Sequence, residues 1–267
     1  MNKRFTLSFL LLAFVAQAQV IPVGFMKRKA LPSTPIPNNL LLYLDASKTD
    51  SYGGTGTTWT DISGQSNNAS LVNPTFYTTG PYSTNPNTNA PTFGSNSFTF
   101  ALNTYAKTTN TLDFSLGTGT FIAWVNPSKI HTVITSIIFS RSGYGTGLNL
   151  YSSNNRIGYH WNDIADTYNW NSNLSVPINQ WSMIAVSIST SSATAYLINS
   201  IGTSTATNSI SHPATSGHNF YIACDPTQYT TDRTFIGKMG TAMVYSTALT
   251  SAEIATIFNA QKAAFGL

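Results

Sequence analysis

Trp181-Ser182-Met183-Ile184-Ala185-Val186-Ser187-Ile188 decides how the rest of the sequence is read. From Met183 to Val186 the run is apolar at successive positions, the pattern of a strand covered on both faces. Short β-prone runs flank it in both directions, at 40–44, 97–100, 121–125, 133–139, 148–151, 156–161, 193–198, 220–224 and 235–245. Clusters of Gly, Asn, Pro, Ser and Thr separate them. Several alternate with the period of a pleated strand: Phe98 and Phe100 flank Thr99, and Ala242 and Val244 share one face while Met243 and Tyr245 share the other. Many spaced strands with turn signals between them predict a sandwich or a barrel.

One helix interrupts this pattern near the C-terminus. Thr250-Ser251-Ala252-Glu253 places a hydroxyl at the N-cap and a carboxylate three residues on, a capping box. Ile254, Ile257 and Phe258 then fall on one helical face and are expected to pack on the last strand. The Thr/Asn/Pro-rich stretch 77–91 reads as a long surface loop, and no internal repeat is present.

The chain starts with Lys3 and Arg4, an apolar run over 5–15 and Ala16-Gln17-Ala18, the pattern of a secretory signal peptide cleaved after Ala18. The run is too short to cross a bilayer, which takes about 20 apolar residues. Residues 19–39 carry four prolines and Lys27-Arg28-Lys29 with no acidic residue, and read as an exposed, poorly ordered leader. Residues 40–267 are expected to form one domain, secreted or at the cell surface. The formal charge of +4 belongs to the front of the chain: from Leu40 onward eight basic residues face nine acidic ones, a net of −1. A basic face that could track nucleic-acid phosphates is therefore excluded. With Cys224 the sole cysteine, no internal disulfide can form, and the fold rests on its core. Cys224 reads as a small buried hydrophobe.

The order of motifs resembles the LamG-like, concanavalin A-like lectin/glucanase superfamily from about Leu40 to Phe258. Leu42-Tyr43-Leu44-Asp45-Ala46, followed by Trp59-Thr60-Asp61-Ile62-Ser63-Gly64 and Asn67-Asn68, is similar to that family's first strand and its W-x-D-x-S-G loop. Phe121-Ile122-Ala123-Trp124-Val125-Asn126-Pro127 is similar to its strand ending in W-V-x-P, and Asn179-Gln180-Trp181 to its turn into the next core strand. Asp225-Pro226, Arg233, Phe235, Gly237 and Tyr245, with Leu249-Thr250-Ser251-Ala252-Glu253-Ile254, resemble its closing strand and short helix. The resemblance implies an all-β, two-sheet antiparallel jelly-roll sandwich. Two departures stand out: Phe100-Ala101-Leu102-Asn103-Thr104-Tyr105 lacks the Asp of the family's F-D-G-x-N-D-Y, and the Y-x-N-G turn appears as Tyr196-Leu197-Ile198-Asn199-Ser200. The first weakens any ligand site carried through that strand.

Relatives that hydrolyse glucans imply a test for catalysis. That chemistry takes two carboxyl groups, about 5–5.5 Å apart in retaining enzymes, carried in relatives by E-x-D-x-x-E. Glu253 is the sole glutamate and already has a capping role, and Asp163 and Asp166, three apart, would fall on opposite faces of a strand. No nucleophile elbow and no His pair of zinc-protease spacing occurs among His131, His160, His212 and His218. The expectation is a binding module that takes a glycan or glycoprotein, with a structural or receptor-binding part of a larger cell-surface or phage fibre as the alternative, and a glycoside hydrolase third.

Sugars are held by aromatic faces together with amides and carboxylates. Both are dense in Tyr159-His160-Trp161-Asn162-Asp163 through Asp166, Tyr168, Asn169 and Trp170. Alternation puts Tyr159 with Trp161 and Tyr168 with Trp170, so Tyr159, Trp161, Asn162, Asp163, Asp166, Tyr168 and Trp170 make a candidate two-stranded carbohydrate platform. The other reading makes one aromatic pair core and the rest strand-edge residues. The resemblance also implies Ca2+, for which Asp45, Asp61, Asn67 and Asn68 offer oxygen ligands, with Asp225 and Asp232 a second set. Turn formation is the other reading of those loops.

Overall fold

Apolar alternation sets the pairing of strands. The computed structural model describes residues 37–72, 91–102, 104–142, 144–225 and 233–267. The expected signal peptide, almost all of the leader, most of the loop 77–91, and Asp232 lie outside the described residues. Among these residues, one sheet runs in the order β14 (Gly202–Asn208), β13 (Ala193–Asn199), β12 (Ser182–Ile188), β8 (Gly119–Pro127), β17 (Gly237–Tyr245), β5 (Ser97–Phe100), β4 (Thr92–Gly94), with β1 (Leu40–Asp45) also on β17. The second runs β11 (Arg156–His160), β10 (Tyr144–Tyr151), β9 (Thr135–Ser142), β16 (Tyr221–Ile222), β6 (Tyr105–Thr108), β3 (Ala69–Val72), β2 (Thr58–Trp59). A small ladder joins β7 (Leu112–Phe114) to β15 (Thr215–His218), and all these pairings are antiparallel.

The decisive run lies at the centre of the first sheet, where it forms β12 between β8 and β13, and every residue of β12 is buried. Its two faces have different covers. Ile184, Val186 and Ile188 join the core between the sheets, together with Phe98, Phe121, Val244, Trp59, Leu148, Ile157 and Tyr159. Met183 and Ala185 point the other way, toward Tyr43, Ile122, Trp124, Met243 and helix α2 (Ser251–Gln261). Each fully buried Phe, Leu, Ile or Met in these layers contributes ~1.5–3 kcal/mol. The expected capping box is present: the Thr250 hydroxyl accepts from the Glu253 amide, and the Glu253 carboxylate accepts from the Thr250 amide. Behind α2, Phe258 and Phe265 stack on Trp124 at 5.4 and 4.4 Å, and Trp124 Nε1 donates to Gln261 Oε1.

The polar strand β14 was not among the expected strands. Gly202-Thr203-Ser204-Thr205-Ala206-Thr207-Asn208 has no apolar alternation, because a sheet-edge strand lacks a neighbour on one side and is largely exposed. Tyr168, expected to share a strand face with Trp170, instead ends the short helix α1 (Ala165–Tyr168). Asn162 and Asp163 both have positive φ, which short polar side chains tolerate, and this ends β11. Thr167 then fixes the turn, its hydroxyl donating to the Ile164 carbonyl and accepting from the Trp161 amide.

Candidate functional site on the outer face of the second sheet

Strand register assigns each residue of the second sheet to a face. Tyr159, Leu148, Ile138, Ile222, Ala106 and Leu71 stand opposite one another across six strands and are buried between the sheets. The next rung, His160, Gly147, Phe139, Tyr221, Lys107, Ser70 and Thr58, therefore faces outward. The outer face of the first sheet is covered by α2, whereas this one carries half-buried aromatic rings with fixed charges beside them. Tyr105 and Tyr221 lie 5.5 Å apart, and Lys107 Nζ sits 5.2 Å from the centre of the Tyr221 ring.

Beyond Phe139 the face becomes polar. Arg141 donates through Nε and Nη2 to Asp225 at 3.2 and 3.1 Å, and Arg233 Nη1 donates to the same carboxylate at 3.2 Å. Asp225 is 2% exposed, so two guanidinium groups compensate its burial. Arg141 also lies 3.7 Å from Asp163 and over the Phe139 ring. The side chains of Arg141, Arg233 and Asp163 remain 18–31% exposed, which leaves oriented donors and an acceptor at the surface. Next to them His160 stacks on Tyr168 at 5.3 Å, meets Phe139 edge-on, and bonds through Nδ1 to Asn149 Oδ1 at 3.0 Å. Burial, reinforced by the Arg141 charge, pushes the His160 pKa down to about 3, so the ring stays neutral. Gly145 makes room for this arrangement: a Cβ there would lie 2.5 Å from Asp163 Oδ1 and 3.0 Å from the Phe139 ring.

The expected platform splits in two. Tyr159 and Trp161 do share a face, but it is the inner one: both are fully buried, Tyr159 bonded to His212 and Asn208 and Trp161 to the Pro213 carbonyl. Neither can offer a ring to a ligand. Tyr168 and Trp170 are not paired on a strand: Tyr168 ends α1 and lies over His160, whereas Trp170 packs edge-on to Tyr159. Asn162 accepts from the Thr215 hydroxyl and Asp166 is exposed on α1. Asp163 and Tyr168 thus border the outer face, joined by Tyr105, Lys107, Arg141, Tyr221, Asp225 and Arg233, which the sequence reading did not assign to a carbohydrate site. Alternation within β6 and β16 could have suggested the two tyrosines. Arg141 and Asp225, 84 positions apart, leave no local signal.

The residues expected to hold calcium do not fit a cation. Both Asp61 oxygens already accept hydrogen bonds, Oδ1 from the Tyr43 and Ser63 amides and Oδ2 from the Asn67 amide and the Ser63 hydroxyl. Asn68 Oδ1 accepts from the Asp61 amide, Asn67 Nδ2 donates to the Leu41 carbonyl, and Asp45 accepts from Tyr43 and Ser47. A carboxylate ringed by N–H and O–H groups presents donors where a cation would need oxygens, so this loop is a turn tied together by Asp61. In the second set, Asp225 is held by two arginines. Among the described residues, no group of three or more His, Cys, Asp or Glu is arranged to hold a metal. Cys224 is not a poised nucleophile, since burial pushes its thiol to about 12. No helix among the described residues is long and apolar enough to cross a membrane.

Comparison with known proteins agrees with this architecture. The family model of the concanavalin A-like lectin/glucanases superfamily matches residues 99–255. No curated protein matches the chain. Among solved structures, domain 4 of AbnA, a GH43 extracellular arabinanase from Geobacillus stearothermophilus in complex with arabinotriose, is similar at 15% identity and TM-score 0.55, with 81% of this chain and 96% of that one covered. Trypanosoma rangeli sialidase in complex with sialic acid is similar at 15% identity and TM-score 0.56 over 86% of this chain, which spans 34% of the sialidase. A GH54 α-L-arabinofuranosidase shares 11% identity at TM-score 0.54, over 78% of this chain and 51% of that one.

Proposed function

Because the chain belongs to the concanavalin A-like lectin/glucanase superfamily, we propose that it is an exported, non-catalytic module that binds a glycan or glycoprotein on the outer face of its second sheet. The observation that carries this reading is the row of half-buried aromatic rings and fixed charges on that face. Sugar CH groups bury apolar surface against tyrosine rings, while guanidinium and carboxylate groups held in place satisfy hydroxyls without paying side-chain entropy on binding. The arabinotriose complex of the AbnA domain lends support from a similar fold, as an analogy. Hydrolysis has less support. Glu253 is taken up in its capping box, and Asp163 and Asp225 are both engaged by Arg141, so these carboxylates are committed to contacts within the fold. Export rests on the signal-peptide pattern of residues 1–18.

A glycan array followed by affinity electrophoresis tests the reading. Tyr221→Ala should weaken retention by about tenfold, the equivalent of ~1–1.5 kcal/mol of aromatic contact, with the melting temperature nearly unchanged. Retention unaltered in Tyr221→Ala and Tyr105→Ala, or turnover of the retained glycan by pure protein, would refute it.

A further inference from the structure

Among the described residues the first sheet ends at β14, and this edge is built in an unusual way. Natural sheets protect edges with charged residues, proline, bulges or very short strands. β14 has none of these: it is seven residues long, lacks charge and proline, is exposed at five positions, and keeps unbroken register with β13 from Asn199↔Gly202 to Ala193↔Asn208. Its hairpin turns through two residues, Ser200 and Ile201, so the closing pair is hydrogen-bonded and alternate positions point their backbone groups away from β13. Thr203, Thr205 and Thr207 are those positions. The 3.0 Å approach of the Thr194 and Thr207 hydroxyls marks that pair as a close one without mutual backbone bonds, which agrees with the assignment.

We infer that β14 pairs with β14 of a second copy of this chain, antiparallel about a two-fold axis at Thr205, joining two eight-stranded sheets into one. Thr203 then faces Thr207 of the partner subunit, and the three outward threonines of each copy make about six backbone hydrogen bonds. Self-pairing meets no like charges, because the edge carries none. Ile201, 87% exposed at the hairpin tip, comes to lie beside Ser209 of the partner subunit. A two-fold contact closes on itself, whereas head-to-tail growth would need the opposite edge, where β4 offers three residues against the seven of β14. The dimer would present two outer faces on one particle and raise avidity for repetitive ligands without new contacts to them.

Sedimentation velocity of the whole secreted chain from low to high micromolar concentration tests this. The native protein should reach twice the monomer mass. Thr205→Pro and Thr205→Lys should each remain monomeric at the highest concentration with the native melting temperature, since the Thr205 N–H does not serve β13 and edge positions tolerate proline. If Thr205→Pro melts early, Thr205→Lys decides. A native chain that stays monomeric or forms species larger than dimers, or a Thr205→Lys variant that still dimerises, overturns the proposal.

Discussion

Acidifying the protein from pH 7 to pH 5 should destabilise it through His160. Unfolded, this histidine titrates near 6.5; folded, it is held to about 3 by burial and the neighbouring Arg141. Between these values the unfolded chain binds a proton that the native state refuses, so stability is complete above the unfolded pKa and falls as the pH drops toward 3. At pH 5 the unfolded state is favoured by about 1.5 pH units of protonation, or ~2 kcal/mol. For a domain of this size that lowers the melting temperature by roughly 4–8 °C. His212, also held below its ordinary value by burial, adds a loss of the same sign. The assay is thermal unfolding in matched ionic strength at both pH values, for the native chain and for His160→Gln. The variant loses the ring stack on Tyr168 and starts less stable, yet its further loss between pH 7 and pH 5 should shrink by ~2 kcal/mol. Equal losses in the two proteins would refute the assignment of His160 as a neutral ring.

Three further outcomes follow from packing. Trp161→Ala should cost ~3–5 kcal/mol in urea unfolding, because it empties a fully buried site, in contrast with the near-neutral Tyr221→Ala. Gly145→Ala should lower stability by ~1–3 kcal/mol, since the added methyl displaces Asp163 from Arg141 and crowds Phe139; unchanged melting would mean that the loop has room to move. Asp61→Ala should cost ~3 kcal/mol by leaving the buried amides of Tyr43 and Asn67 without their acceptor, and millimolar calcium should leave the native melting temperature unaltered; a calcium-dependent rise would restore a metal to this loop.

The sequence by itself determined the features that depend on neighbours along the chain: the strand character of β5, β12 and β17, the two-sided burial of 183–186, the capping box at Thr250 and the order of motifs that marks the superfamily. It also determined that Tyr159 and Trp161 share a face, since alternation is a property of the pleat. Which of the two faces points inward was decided only by the tertiary structure. Alternation is symmetric between a sheet's sides until a second layer covers one of them, and here the first sheet covers the side with Tyr159, Leu148 and Ile138. Tertiary structure likewise brought Arg141, Asp163, Asp225 and Arg233 together, and it left β14 at an edge where polar residues need no alternation. Contacts between distant segments are fixed by how sheets pair and stack, a choice made by the summed burial of the whole core, which no local run of residues encodes.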